Sequence, residues 1–435
     1  MKKKLIYPGS SDTFENRQAV KATLASINAK THKLLEAAGR QTPPPKPDRG
    51  PKNNVTYSLS EINKDIKEWM FEADMVLTPE QAKAIDDGKE DTPARSKRAC
   101  ITNPSGLWNP AIPINYTFDS SLCEFVQFLL GTVTHEIAHS LGFYHTQSRY
   151  DRNDYVSVDM DNINPDLQYN FAQVYCSERE FCGLLLVNGV FQMTRKTSTH
   201  FGLPYDYGSM MEYDAYAFAE NPNQYTIWPK NSIWTNTMGQ RVAPAFSDML
   251  EVNWLYNCSS LCSNVPVPPC RQPGYQNPRD CSSCLCPQMF GGQYCGQLPT
   301  GNAVNCNGKV IQAPEGQTLQ LRLSTPPSNC MEGCPWQSIE LNMGEFERYG
   351  MIMCCQSDVG QIYSSTGNLV GIRGLILVAA CALLGWMLVR RILRRRTELT
   401  QPTAPPESLS DAERFASRSL WDCAAPPGLE RFYSL

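Results

Sequence analysis

The chain has 435 residues, with 39 Lys and Arg against 43 Asp and Glu and a formal net charge of −4 at pH 7. That length allows two or three domains, and the balanced charge leaves no basic footprint for nucleic acid, so no nucleic-acid partner is expected. Eighteen cysteines, none before Cys100 and most between Cys258 and Cys355, argue against a reducing compartment and for an extracellular or membrane-exposed chain.

In chain order, residues 1–98 are lysine-rich and cysteine-free and read as short helices joined by a loose linker around Pro43-Pro44-Pro45. The start, Met1-Lys2-Lys3-Lys4-Leu5-Ile6, is basic but lacks an apolar stretch, so it is not a signal peptide as it stands. The stretch ends in Arg95-Ser96-Lys97-Arg98 before Ala99, which reads as a processing site for a furin-like protease acting after Arg98. Residues 99–258 carry the chemistry. Residues 259–296 are Gly/Pro-rich and dense in Cys, a disulfide-stapled module; 297–368 alternate as in Thr318-Leu319-Gln320-Leu321-Arg322-Leu323, a β module. Leu369 to Val389 is apolar apart from Arg373 and precedes Arg390, Arg391 and Arg394-Arg395-Arg396, so 369–389 is expected to be a single membrane span with its basic flank cytoplasmic. Residues 390–435 read as a disordered tail. Glycosylation sequons stand at Asn54, Asn115 and Asn257.

The central string is Thr134-His135-Glu136-Ile137-Ala138-His139-Ser140-Leu141-Gly142-Phe143-Tyr144-His145. On a helix, His135 and His139 face the same way one turn apart. Zinc takes imidazole nitrogen at about 2 Å, so the two rings form half of a tetrahedral site. Gly142 supplies the left-handed backbone that ends a helix and lets His145 swing back as a third ligand. Three protein ligands leave one position open. Glu136 stands beside the site without joining it, placed to take a proton from a water that the metal acidifies and to pass it to a leaving amine. One Zn2+ per domain is expected. Three of the five histidines fall in eleven residues at this spacing, which argues against a surface helix with incidental histidines.

The full pattern, H-E-x-x-H-x-x-G-x-x-H, is the metzincin signature. With Ser148-Arg149-Tyr150-Asp151-Arg152-Asn153-Asp154-Tyr155-Val156, the turn Ser209-Met210-Met211-Glu212-Tyr213, Met238-Gly239-Gln240-Arg241 and Asn253-Trp254-Leu255-Tyr256-Asn257-Cys258, it resembles the astacin family of zinc metalloendopeptidases across most of 99–258. The resemblance implies an α+β, two-subdomain zincin fold for 99–258. It implies His135, His139 and His145 as zinc ligands, Glu136 as catalytic base, and Met211 as an apolar floor below the metal. Tyr213 would ligate the metal at rest and swing away to stabilise the oxyanion. Phe71-Glu72-Ala73-Asp74-Met75 is similar to the family's pro-segment motif, which makes Asp74 a zinc ligand in the zymogen only, with Ala73 in place of the usual Gly. Cys270, Cys281, Cys284, Cys286 and Cys295 resemble an EGF-like module. Cys306, Cys330, Cys334 and Cys354, with their intervening strands, resemble part of a CUB β-sandwich. That layout is similar to nematode members of the family. It implies cleavage of extracellular proteins and peptides by a zymogen, secreted or held at the plasma membrane.

The chain departs from the pattern in three places. Between Tyr116 and Gly131, over 117–130, the stretch that carries the sheet and its substrate-pairing edge has shrunk to a few residues. Tyr175 to Met193 reads as an insertion, and Thr146 stands where the family has Glu. The breaks, with the missing leader, are read as errors in the gene model. A rival class follows from the shrunken sheet: a catalytically inactive binding protein that uses its EGF-like and CUB modules. A third reading, an adhesion receptor, rests on the apolar run alone.

Overall fold

The computed structural model describes residues 13–38, 63, 66–87, 108–109, 126–149, 151–171, 201–297, 309–325, 330, 333–334 and 337–376. Arg98, Ala99, most of the shrunken stretch, the 175–193 insertion, Cys306, Asn54, Asn115 and the tail from 390 lie outside them. The chain divides into two compact units, 1–108 with 136–239, and 109–135 with 240–435.

In the first unit, helix α1 (Phe14–Ala38) is longer than the short helices expected. It buries Val20, Leu24, Ile27 and Thr31, positions that recur on one face at helical spacing. That face packs on α2 (Pro79–Asp87) and on the 3-10 helix Pro165–Phe171. Lys30 reaches the Asp86 carboxylate at 2.6 Å. Asn28 clasps the 3-10 helix at two points, donating to the Pro165 carbonyl at 2.8 Å and accepting from the Tyr169 N–H at 3.1 Å. Strands β1 (Val156–Val158) and β2 (Ile227–Pro229) pair antiparallel, and among the described residues of 99–258 they form the only sheet. Arg152 is buried and donates to the carbonyls of Gln147 and Phe171, so the charge joins two loops that no strand joins.

Helix α3 (Val126–Ser140) carries the first two histidines, and the boundary of the two units crosses it after His135. Near its start, a Cβ at Gly131 would lie 1.8 Å from the Arg241 carbonyl oxygen, so no side chain fits there.

In the second unit, α4 (Phe246–Leu255) leads into a small module with the hairpin β3 (Tyr275–Asn277) and β4 (Asp280–Leu285). Its bridges interleave: Cys262–Cys281, Cys270–Cys284, then Cys286–Cys295. The next segment forms a four-stranded antiparallel sheet in the order β5 (Lys309–Gln312), β10 (Leu369–Ile376), β7 (Gln337–Asn342), β8 (Met351–Met353). Strands β6 (Gln320–Arg322) and β9 (Ile362–Ser364) form a second, two-stranded sheet. Two further bridges, Cys330–Cys355 and Cys334–Cys354, meet at adjacent cysteines. The Asp358 carboxylate accepts from both of their backbone N–H groups, at 3.0 and 2.9 Å. The hairpin module and the sheets share apolar contacts: Met289 and Phe290 pack with Phe346, Val310 and Leu369.

Strand β10 overlaps the start of the expected membrane span, whose remainder, 377–389, lies outside the described residues. The first eight residues of 369–389 lie in the interior of the sheet, so the β module runs to at least Ile376 rather than ending at 368. Arg373, the one charge in the run, stands opposite Glu340 on β7 and donates to its carboxylate at 2.9 Å. The apolar run thus begins as an interior strand hydrogen-bonded on both edges, and a short apolar strand of this kind cannot be told from the start of a span by hydropathy alone. Among the described residues no helix is long and apolar enough to cross a membrane.

Candidate metal centre

The helix bearing His135 and His139 ends as the sequence predicts. Gly142 has φ 94°, its N–H bonds the His139 carbonyl at 2.9 Å, and the Phe143 N–H bonds the Ala138 carbonyl at 3.0 Å. This pair of bonds is a Schellman cap, which only a residue tolerant of positive φ closes without strain. The reversed chain then aims the Phe143 carbonyl at His139 Nδ1, 2.7 Å away. A carbonyl only accepts, so Nδ1 carries the proton and Nε2 keeps a lone pair facing the site. His145 follows, fully buried, and the Thr146 N–H behind it bonds the Met211 carbonyl at 2.9 Å. Met211 is itself buried, and its turn fixes where the third histidine stands.

The fourth group comes from the first hundred residues. Phe71 and Met75 pair as a tight antiparallel bridge, with both of their N–H···O bonds at 2.9 and 3.0 Å. The three residues between them are buried and form a turn whose tip reaches the histidines. Asp74 lies 3.3 Å from His139 Nε2 through one carboxylate oxygen and 3.1 Å from His145 Nε2 through the other. The ligand atoms of Asp74, His135, His139 and His145 all lie within 4.8 Å of one another.

These residues fit zinc. Two donors about 2 Å from one tetrahedral ion stand roughly 3.3 Å apart, close to both Asp74 distances. Three imidazoles and one carboxylate are the borderline donor set zinc favours. Glu136 follows His135 on α3, half-buried and outside the donor group.

Burial disfavours a charged His145, but the carboxylates of Asp74 and Glu72 reverse that and raise its pKa to about 9. This describes the chain with a proton where a metal would sit. Burial, then Glu72 and Asp74, push Tyr213 well above the ordinary tyrosine range, so its hydroxyl stays a neutral donor. It donates to the Glu72 carbonyl at 2.8 Å. Its ring packs edge-on against Phe171, 5.5 Å between centroids.

Three contributors escaped the sequence reading. Glu72 sends its carboxylate to His145 Nδ1 at 2.8 Å and accepts from the Ser148 hydroxyl. Asn170 accepts from the Glu72 N–H at 2.8 Å. Glu72 and Ala73 have φ 52° and 78°, consecutive left-handed residues that cost on the order of 1–2 kcal/mol each without glycine. The visible signal was two acids flanking a single residue in Glu72-Ala73-Asp74; Asn170 and Ser148 left none beyond their place in longer motifs.

Comparison with known proteins agrees with this geometry. The family model described as Astacin, a peptidase family, matches residues 123–185 and 187–257. Zinc metalloproteinase nas-28 of Caenorhabditis elegans is 33% identical over 470 aligned positions, covering 86% of this chain and 90% of the relative. That span is longer than the chain itself, so the relative carries residues within it that face none here. Zinc metalloproteinase dpy-31 of Haemonchus contortus is 30% identical over 398 positions, 73% of this chain and 68% of the relative. Among solved structures, the hatching-enzyme zinc-protease High choriolytic enzyme 1 of Oryzias latipes shares 31% identity over 29% of this chain and 52% of its own, with a TM-score of 0.23 that carries no fold argument.

Proposed function

Since this chain belongs to the astacin family and is a zinc metalloendopeptidase, we propose that it is made as a zymogen, acts on extracellular proteins, and is kept silent by Asp74 until the chain is cut after Arg98. The observation that carries this reading is the Asp74 carboxylate lodged between His139 and His145, where a catalytic water would otherwise stand. His135, His139 and His145 would hold the ion. Bound there, zinc supplies Lewis acidity toward a peptide carbonyl and toward water.

This chain's own groups do the rest. Glu136 receives the proton of the attacking water and delivers it to the departing amine. The Tyr213 hydroxyl already donates to a peptide carbonyl, that of Glu72, which supports its role as donor to the oxyanion once the turn has left. The bond network of Asn28, Tyr169 and Asn170 supports a pro-region that embraces the enzyme at more than the plug. Five described disulfides support an oxidising, extracellular destination. The interleaved bridges of 259–296 support the EGF-like reading, the two sheets that follow support a CUB-like sandwich, and exposed Asn257 supports a glycan there. The paired-basic cluster supports a furin-like activator. The intact donor set and the relatives' activity do not favour an inert binding protein.

The test uses the full chain before and after cleavage at the basic cluster, scoring zinc content and chelator-sensitive hydrolysis of a denatured protein. One zinc in both forms is expected, with hydrolysis only after cleavage and none in Glu136→Ala. Hydrolysis that survives Glu136→Ala would sink the assignment.

A further inference from the structure

His139 and His145, the two histidines Asp74 bridges, are oriented by different means. A metal-bound imidazole needs an acceptor on its other nitrogen to fix its tautomer and tilt. For His139 that acceptor is the Phe143 carbonyl, part of the same cap that ends α3. For His145 the acceptor at 2.8 Å is the Glu72 carboxylate, which belongs to the segment that cleavage releases. The same oxygen lies 3.3 Å from the His145 backbone N–H, and the other oxygen takes the Ser148 hydroxyl.

Glu72 is held along its whole length. Its N–H goes to Asn170, its carbonyl takes Tyr213, and its carboxylate is gripped by His145 and Ser148. Two successive left-handed residues, Glu72 and Ala73, place the carboxylates of 72 and 74 on opposite nitrogens of one imidazole: Glu72 on Nδ1, Asp74 on Nε2. Such backbone persists only where the surroundings over-determine it, and this double hold on His145 is what does so.

We propose that the pro-segment turn works with two carboxylates, Asp74 filling the metal face and Glu72 positioning His145 from behind, so that the uncleaved chain grips its zinc more firmly than the cleaved enzyme. Glu72 is a positioning residue, not a catalytic one, and it leaves with the segment. The inference rests on the latency reading above, and its test is separable from it.

The full chain, with Arg95→Ala and Arg98→Ala to block processing, is loaded with zinc, and release to a chelating dye is timed against the cleaved enzyme. Release from the uncleaved chain is expected to be slower. Glu72→Gln, which keeps the shape and removes the charge, should speed it by about tenfold or more, as outer-shell partners of metal ligands typically do. The same substitution should leave the cleaved enzyme's rate unchanged. An uncleaved Glu72→Gln chain that releases zinc at the parent rate overturns the proposal. If that variant does not fold, Ser148→Ala takes its place, because it frees the carboxylate's far oxygen: faster release supports the proposal and an unchanged rate overturns it. Uncleaved parent chain that hydrolyses peptides as fast as the cleaved form would remove the latency reading while leaving the zinc-release comparison intact.

Discussion

Asp74→Asn is the sharpest perturbation of the latent state. Asparagine keeps the outline of the side chain in its buried slot and removes the charge. The aspartate meets two imidazoles, at 3.3 and 3.1 Å, with 3% of its surface exposed, so solvent screens neither contact. With zinc loaded, both Nε2 atoms would face the metal and the carboxylate would be a ligand, so the amide forfeits one charge-assisted contact, worth about 1.5–3 kcal/mol. A net loss of about 1.5–3 kcal/mol follows, roughly 10- to 150-fold in the fraction of molecules whose turn is off the metal. The assay is hydrolysis of a quenched fluorescent peptide by uncleaved chain carrying Arg95→Ala and Arg98→Ala, with parent and variant compared at equal zinc content. A rise of one to two orders of magnitude is expected. The reasoning is refuted if the uncleaved variant stays as silent as its parent while cleavage activates both.

Three further outcomes follow from the same geometry. Tyr213→Phe should lower kcat of the cleaved enzyme by about 10²-fold with zinc content unchanged, because it removes one oxyanion donor while the three histidine ligands remain; a loss confined to KM would contradict that role. In the chelator-treated chain, the folded pKa of His145 lies above its unfolded value, so the contribution is complete below about pH 6.5 and is lost as pH rises through about 9. Stability to urea should therefore fall between about pH 6.5 and 9.5, by up to about 3 kcal/mol, in metal-free chain and not in zinc-loaded chain; equal midpoints in the metal-free chain would exclude it. Gly142→Ala should cost about 1–2 kcal/mol, because φ 94° suits glycine alone, and should weaken zinc binding as well because the cap aims Phe143 at His139; calorimetric melting and zinc titration measure both.

The ligand string was legible because its spacing encodes geometry. The i, i+4 histidines need a helix, and Gly142 needs the cap that the chain forms. Asp74 could be read only through motif resemblance, since nothing local to residues 71–75 says which far segment the turn will meet. Glu72 was illegible for a deeper reason: its direction depends on two left-handed residues that the sequence offers no cause to expect at Glu and Ala. The apolar run after Asn368 is ambiguous at its start, where the chain forms strand β10. A strand paired on both edges and the start of a membrane helix share one hydropathy profile, and what separates them is distant in sequence: the pairing with β5 and β7 and the partner of Arg373, thirty-three residues upstream at Glu340.

The adjacent cysteines of the β module bear on how the chain comes to exist at all. Cys354 and Cys355 bond Cys334 and Cys330, closing loops of 20 and 25 residues. The swapped isomer would close loops within one residue of these lengths, so chain entropy gives no preference between them. Discrimination falls to local geometry, and the Asp358 carboxylate supplies it by fixing both cysteine N–H groups and so the directions in which the two sulfurs leave the backbone. That clamp forms only once the Gln356–Asp358 turn has folded. Oxidation that outruns folding therefore traps a scrambled module, and the yield of correctly bridged protein is set by disulfide isomerisation rather than by the strength of the oxidant.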